Sequence, residues 1–345
     1  MYIKLMIEQN KNLYISYWLL LITILVGLMI IVGGLTRLTD SGLSITKWQL
    51  FSGFLPPLNN ADWVNYFNLY KEIPEYKIQN YSMSMNEFKV IFWWEWAHRF
   101  LGRLIGISFL LPLIYFTIKL GFKSLKRFYF IFFLICFQGF IGWYMVSSGL
   151  IDRVDVSHYR LALHLVIAFF ILSLILWDYF KLKKIDLSHQ KLQFYLPLIF
   201  LILIFCQITI GAFVSGMDAG QIYNSWPLMG SSYFPDDNNI ANIFNLSAFS
   251  DPSLVQFMHR NLAYLILIYY LYILVKIYKS KLKNLYFSIN LVGLFLFFQI
   301  ILGIITLLYG AQIYFASMHQ LSSIFLVSSS VYLLYLNSTT QQLSS

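Results

Sequence analysis

The sequence contains little charge. Of its 345 residues only 11% are charged, whereas 59% are hydrophobic. A soluble domain uses about 25% charged residues to cover its surface, so this shortage excludes an ordinary soluble fold. The net charge of +9 would suggest nucleic acid as a partner of a soluble protein, but basic residues in short loops orient a membrane protein. We therefore expect an integral membrane protein that binds no nucleic acid.

Cysteine is almost absent as well. The two cysteines, Cys136 and Cys206, both lie in apolar runs. They cannot build a thiol-rich metal site, and we expect them to be small apolar side chains in the membrane rather than a disulfide. A small-residue cleavage site is also missing after the first apolar run, so we expect that run to be retained as a transmembrane helix.

Eight apolar runs are long enough to cross a membrane, because about 20 helical residues span the hydrocarbon core. A single segment in lipid must satisfy its own backbone hydrogen bonds, so each run is predicted to be helical. The predicted spans are 16–36, 91–118, 127–147, 160–180, 194–215, 255–275, 285–308 and 315–336.

The loops after the second, fourth and sixth spans are basic. Their cations are Lys119, Lys123, Lys126 and Arg127, then Lys181, Lys183, Lys184 and Lys191, then Lys276, Lys279, Lys281 and Lys283. By the positive-inside rule these loops face the cytoplasm, together with both termini. The long loop 215–254 on the opposite side contains aspartates and no Lys or Arg.

The other long loop, 37–90, also lies on the outer side. Asn60 could cap a short helix that begins near residue 61. Trp63, Phe67 and Tyr70 recur at helical spacing, which predicts an amphipathic helix lying over the membrane face. Surface packing alone would explain the same spacing.

The chain contains an internal repeat. The matched segments are GGLTRLTDSGLSITKW with GAFVSGMDAGQIYNSW, WAHRFLGRLIG with FMHRNLAYLIL, FQGFIGWYMVSSG with FQIILGIITLLYG, and RLALHLVIAFF with ASMHQLSSIFL. An even number of spans in each half makes both halves insert the same way up. We predict an all-α membrane protein of two tandem four-helix bundles, residues 1–185 and 186–345, related by a pseudo-two-fold axis along the membrane normal.

Four of the six histidines occupy equivalent places in this repeat, near the outer ends of the even-numbered spans. They are His98, His164, His259 and His319. The other two, His158 and His189, are predicted to be solvated loop residues. Polar side chains in lipid usually face a cavity or a partner. Imidazole ligates iron and haem, and too few acids or thiols accompany these histidines for a small-cation site. We predict one haem in each half, bound by two histidines.

Arginines at the same level could pair with haem propionates through parallel hydrogen bonds. They are Arg99, Arg103, Arg160 and Arg260. Glycines that could give the ring clearance are Gly102, Gly106, Gly139 and Gly142. Glu95 lies three residues before His98 on the same helix face, and Gln256 occupies the matching place in the second half. An acid beside one pair indicates unlike roles for the two sites, unless it is a structural partner of Arg99 or Arg103.

Between residues 17 and 336 the sequence resembles the haem A synthases of alphaproteobacteria and mitochondria. The segments that carry the resemblance include GGLTRLTDSGLSITKW, EWAHRFLGRLIG, YRLALHL, GAFVSGMDAG, YNSWPLMG and FMHRN. The resemblance implies an enzyme that oxidises the C8 methyl of haem O to a formyl group, which gives haem A for the terminal oxidase. It also implies that His98 and His164 flank the substrate haem O, that His259 and His319 ligate a resident haem b, and that Glu95 is the acid near the reacting site.

The resemblance further implies a place in the bacterial inner membrane, with the haem sites near the outer face. Candidate partners are a haem O synthase, assembly factors of the terminal oxidase, an unidentified electron donor and a second copy of the chain. Two rival functions fit part of the pattern. A di-haem electron carrier related to quinol-linked cytochrome b would not need Glu95, and a transporter would contain helices broken at the midplane.

Overall fold

The structure is a computed structural model, and it describes residues 2–48, 52–183 and 191–338. Within these ranges the chain is helical, and its only β pairing is an isolated bridge. The α-helices are α1 (Tyr2–Leu38), α2 (Asn60–Tyr70), α3 (Pro74–Ile78), α4 (Met85–Leu120), α5 (Lys126–Asp152), α6 (His158–Leu182), α7 (Tyr195–Gly216), α8 (Pro252–Lys279), α9 (Tyr286–Leu308) and α10 (Ile313–Ser338). In the described part of the chain, α1 and α4 to α10 are long and apolar enough to span a membrane. The predicted all-α class and the eight spans are confirmed.

Local capping decides where the outer helices begin. Helix α4 starts at Met85, earlier than the predicted span, because Ser84 and Glu87 form a capping box. Helix α2 is capped by Asn59, whose side chain accepts a backbone hydrogen bond from the first turn at 2.9 Å. The prediction that Asn60 is the cap is therefore wrong by one residue, because Asn60 is already helical.

The outer extension of α4 provides the surface on which α2 packs. Phe67 and Tyr70 of α2 are buried against Phe88, with ring centroids 5.0 and 5.2 Å apart. Trp63 contacts Phe92 at a centroid distance of 5.0 Å. The predicted helix exists and uses the predicted face, but it covers the end of a membrane span instead of lying over lipid alone.

Helices α6 and α10 lie at the centre of the bundle. The most apolar stretch of α6 is 44% buried and that of α10 is 61% buried, against 11% in the span that contains α9. Helix α6 contacts α1, α5, α7 and α10, and α10 also contacts α1, α7 and α9. The first and last spans of each predicted half therefore meet in the middle, while α4, α5, α8 and α9 lie outside.

The starts of the two long outer loops meet at this central contact. Asp40 and Asp218, which match in the sequence repeat, both adopt left-handed backbone conformations, with φ of 47° and 51°. Arg37 at the end of α1 donates to the carbonyl of Ser215 at 2.9 Å and to the Asp218 carboxylate at 2.9 Å. These recurring features support the two related halves, whereas the pseudo-two-fold axis itself stays a prediction.

Along the helices, the main apolar core lies between the histidines and the basic loops. On each histidine-bearing span, buried core residues follow the histidine in sequence. They are Ile105, Phe109, Leu113 and Phe116 in α4, Phe169, Ile171, Leu172, Ile175 and Leu176 in α6, Ile266, Tyr270, Ile273 and Ile277 in α8, and Ile324, Leu326, Val327, Val331, Leu333, Tyr335 and Leu336 in α10. The bundle is thus filled by large side chains toward the basic loops, and the histidines lie beyond that packing.

One histidine does not lie where its surroundings in the sequence suggested. The prediction that His158 is a solvated loop residue is wrong, because it begins α6, is half-buried, and its ring lies 5.4 Å from that of Phe213. His189 lies outside the described residues. Cys136 and Cys206 are both free and exposed on the outside of their helices, which confirms that they form no disulfide.

Candidate histidine sites and a buried acid

The first histidine pair joins α4 to α6. The rings of His98 and His164 face each other with centroids 6.3 Å apart and planes inclined by 77°. Two metal–imidazole bonds of about 2 Å place ring centroids about 6 Å apart when the rings bind one metal from opposite sides. The separation therefore fits a single metal ion between the rings.

The second pair joins α8 to α10. The imidazoles of His259 and His319 are close enough to interact electrostatically. The Nδ1 atoms of His164, His259 and His319 are buried and have no hydrogen-bond partner. Buried polar atoms are nearly always hydrogen-bonded, so an unpartnered imidazole nitrogen calls for another ligand. Haem iron is such a ligand, and it takes one or two axial histidines.

Each site histidine packs on a glycine of the preceding span. The pairs are Gly33 with His98, Gly142 with His164, Gly211 with His259, and Gly303 with His319. A Cβ atom at these glycines would lie 3.2, 3.0, 3.0 and 2.9 Å from the imidazole. Carbon atoms prefer separations of about 3.5–4.0 Å, so a larger residue would displace the ring.

The glycines predicted to give the haem ring clearance have different surroundings. Gly142 faces His164 and Gly102 faces Met29, whereas a Cβ at Gly106 or Gly139 would meet open space within 4 Å, and their role as clearance for the ring stays a prediction. In the described residues no three His, Cys, Asp or Glu side chains come together as a metal site. The histidine pairs and their glycines fit a flat haem with two axial ligands better than a small cation with four.

Glu95 is buried beside the first pair, with 2% of its surface exposed. Its carboxylate accepts hydrogen bonds from the Ser44 hydroxyl at 2.7 Å, the Ile45 N–H at 2.6 Å and the Arg99 guanidinium at 2.5 Å. Arg99 also donates to the Ile45 carbonyl at 2.9 Å. The segment after α1 therefore folds onto α4 around this ion pair, and the Glu95 carboxylate accepts three hydrogen bonds, from Ser44, Ile45 and Arg99.

The second half has the same loop arrangement without an acid. Gln256, which is 2% exposed, donates to the Tyr223 carbonyl at 3.2 Å. Arg260 donates to the carbonyls of Tyr223 at 2.8 Å and Ser225 at 2.9 Å. The two sites thus share their loop contacts but differ in ionisable groups.

The predicted arginines have different surroundings. Arg99 is paired with Glu95, and Arg260 binds loop carbonyls, as described above. Arg160 donates to the Ser148 hydroxyl and lies over the Tyr144 ring at 4.8 Å. Arg103 lines a small cleft beside Glu95 together with two further cations, Lys47 and Arg99, and the aromatic rings of Tyr66, Phe92 and Trp96. This cleft concentrates positive charge next to the first histidine pair, as a carboxylate-bearing ligand requires.

A second buried acid lies under the first outer loop. Glu75 in α3 is 2% exposed and accepts a hydrogen bond from the Tyr70 hydroxyl at 2.8 Å. Asn80 donates to the same hydroxyl at 2.8 Å. Removal from water raises the pKa of Glu75 to about 8, and the hydrogen bond from Tyr70 offsets only part of this rise. The sequence analysis did not identify this group.

Three glutamines that sequence reasoning missed also contact the histidines. Gln138 donates to the His164 carbonyl at 2.8 Å, Gln207 donates to the His259 carbonyl at 3.0 Å, and the Gln299 amide lies 3.3 Å from Nε2 of His319. Each glutamine precedes a site glycine by one helical turn, in the segments FQGFIG, CQITIG and FQIILG. The recurring Gln-x-x-x-Gly spacing is the signal that could have revealed them.

The class of the protein is thus a multi-pass α-helical membrane protein, whose helices present two pairs of half-buried imidazoles as candidate ligand sites. Comparison with known sequences narrows the class further. The Cytochrome oxidase assembly protein family matches residues 16–331, and the chain belongs to that family.

Several relatives match nearly the whole chain. The haem A synthase of Pelagibacter ubique is 50% identical over 337 residues, which cover 96% of this chain and 98% of the relative. The haem A synthase of Rickettsia bellii is 44% identical over 333 residues, covering 93% and 96%. That of Wolbachia pipientis wMel is 41% identical over 345 residues, covering 96% and 97%. The agreement therefore extends over nearly the whole length of the chain and over both of its halves.

Proposed function

We propose that the chain is a haem A synthase, an oxidoreductase that converts the C8 methyl of haem O to a formyl group and so gives haem A. The nearly full-length relatives of that name support the proposal. The observation that carries it in this chain is the difference between the two histidine sites. Glu95 lies buried beside one pair, and the neutral Gln256 occupies the matching place beside the other.

The two sites are assigned different haems. His98 and His164 flank the substrate haem O, whereas His259 and His319 ligate a resident haem b. Bound haem b supplies electron transfer, which is chemistry that no amino-acid side chain provides. The assignment to halves, residues 1–185 for the substrate and 186–345 for the cofactor, follows from the acid. Conversion of a methyl to a formyl group requires proton transfer at the reacting site, and Glu95 can exchange a proton whereas Gln256 cannot.

The residues around Glu95 position it for this task. Ser44, Ile45 and Arg99 restrain both carboxylate oxygens, so the side chain keeps a single orientation one helical turn before His98. The cationic cleft formed with Lys47 and Arg103 binds the propionates of the substrate through charge-assisted hydrogen bonds. Glu95 is thus a proton-carrying or charge-stabilising residue, and the arginines are anchors.

The surroundings of the protein follow from charge and family. The chain is a multi-pass membrane protein. By the positive-inside rule, its basic loops favour both termini in the cytoplasm and both histidine pairs toward the outer face of a bacterial inner membrane. A haem O synthase and assembly factors of the terminal oxidase are its expected partners.

A di-haem electron carrier is the alternative, and it is favoured by the fact that all four histidines pack on glycines. It does not explain a buried acid at one site alone. The transporter has no support, because each membrane span in the described part of the chain is one continuous helix.

Pigment analysis separates these functions. The chain should be expressed in a bacterium that makes haem O but no haem A, and the membrane haems extracted and separated. Haem A or its alcohol precursor in the extract confirms synthesis, whereas haem b alone indicates an electron carrier.

The variant Glu95→Gln should retain haem b and lower the yield of haem A by about a hundredfold or more, the usual contribution of acid–base catalysis. The matched control is Glu72→Gln, which changes an exposed acid in the first outer loop. Loss of haem b from Glu95→Gln would make the acid structural.

A further inference from the structure

The three glutamines beside the histidines form a repeated contact. Gln138, Gln207 and Gln299 each stand four residues before the glycine on which the imidazole packs. The glutamine therefore lies one helical turn from that glycine on the same helix face. Helices α5, α7 and α9 therefore each offer the histidine of the next span a flat glycine surface and a side-chain amide.

The amide fastens the histidine-bearing turn to the neighbouring helix. A helical carbonyl can accept a second hydrogen bond on its remaining lone pair, and Gln138 and Gln207 use this capacity at His164 and His259. Gln207 also lies 3.3 Å from Nε2 of its histidine, as Gln299 does at His319. The oxygen atoms of all three side-chain amides are buried without a partner. In the second half, Gln207 thus fastens the turn that carries His259 to the neighbouring helix, whereas the Gln299 amide contacts only the ring of His319.

The fourth place in this pattern is occupied by Met29. It stands four residues before Gly33, but its thioether can donate no hydrogen bond. Its methyl group packs near Gly102, one turn beyond His98. The His98 ring is also turned differently. It presents Nε2 and Cδ2 to its glycine, at 3.2 and 3.5 Å from the Cβ position, whereas the other three present Cε1. His98 is therefore the site histidine without a glutamine beside it.

We infer that Gln207 is a positioning residue that retains the haem of the second half, and that Met29, at the matching place of the first half, leaves His98 as the movable ligand through which that half exchanges its haem. This inference rests on the proposed function, because only a protein that turns haem over needs one exchangeable site and one permanent site. Besides Glu95 and Gln256, Met29 and Gln207 are then a second pair of matching positions at which the halves differ.

Haem transfer to apomyoglobin measures the difference directly. The purified full-length protein is loaded with two equivalents of haem b and mixed with excess apomyoglobin, and the absorbance change is followed. We expect a fast phase from the first half and a slow phase from the second, and His259→Ala should leave only the fast one. Met29→Gln, a substitution of nearly equal length, should slow the fast phase about tenfold, the effect of one net hydrogen bond.

The opposite change tests the second half. Gln207→Leu should accelerate the slow phase about tenfold and leave the fast phase unchanged. Thr209→Val is the matched control. It removes a hydroxyl group from the same helix, but this hydroxyl donates to the Phe205 carbonyl and does not contact a histidine. A single phase in the parent protein would overturn the inference. The inference would also be overturned if a folded Met29→Gln protein showed an unchanged rate in the fast phase, or if Gln207→Leu changed the rate of the fast phase alone. The haem A yield of the same membranes tests the proposed function separately, because transfer of haem b does not depend on catalysis.

Discussion

Substituting Gly211 with alanine tests whether the imidazoles must lie against the neighbouring helices. The added methyl group would stand 3.0 Å from Cε1 of His259, whereas carbon atoms prefer about 3.5–4.0 Å. The ring would have to retreat by about 0.5–1 Å, and Gln207 on the same helix restrains it. Overpacking of this kind costs about 1–3 kcal/mol. If that cost falls on ligation, haem affinity at the second site drops by roughly five- to 150-fold.

Haem content per protein, determined from the pyridine haemochrome, and the reduced-minus-oxidised spectrum provide the assay. Gly211→Ala should lose the spectrum of the second site and keep the fold. The control is Gly27→Ala on α1, where an added Cβ meets nothing within 4 Å. It should keep its haem and gain slightly in stability, because alanine favours helix over glycine by about 1 kcal/mol. A Gly211→Ala protein with parental haem content and spectrum would refute the close ring–helix packing described here.

Two further predictions concern the outer loops. Burial raises the pKa of Glu75 to about 8 from an ordinary value of 4.5, so its contribution to stability is complete below about pH 4.5 and is lost as the pH rises toward 8. Glu75→Gln should remove this pH-dependent loss of stability. The measurement is thermal denaturation in detergent at about pH 5 and about pH 9, and an equal pH dependence of the parent protein and the variant would contradict the prediction. Arg37→Leu should lower the denaturation midpoint by a few degrees, because it removes charged hydrogen bonds worth about 1.5–3 kcal/mol between α1 and the loop containing Asp218. The exposed Arg153→Leu is its control, and equal midpoints for the two variants would contradict a role of Arg37 in joining the halves.

The membrane spans were predictable because lipid permits few alternatives for an apolar run of sufficient length. The outer extension of α4 was not, since its polar start at Met85 does not resemble a span and depends on the local cap at Ser84. The histidine pairs could be predicted because the sequence repeat places equal residue types at equal depths. The partners of Glu95 could be narrowed only to Arg99 or Arg103, and the structure shows Arg99.

Contacts that arise from tertiary folding escaped the sequence analysis. Ser44 and Ile45 reach Glu95 only because the segment after α1 turns back onto α4, and one of these contacts comes from a backbone N–H that no motif encodes. The glutamines differ in kind. Gln138, Gln207 and Gln299 recur at a fixed spacing from glycine, but glutamine in an apolar helix becomes meaningful only when the facing residue is known.

The apolar core between the histidines and the basic loops also has an electrical consequence. Its aliphatic and aromatic side chains form a low-dielectric layer, and charge crosses such a layer at great cost. If the basic loops face the cytoplasm as proposed, protons that serve the sites exchange with the opposite aqueous phase and traverse little of the transmembrane field. Turnover should then depend little on the membrane potential.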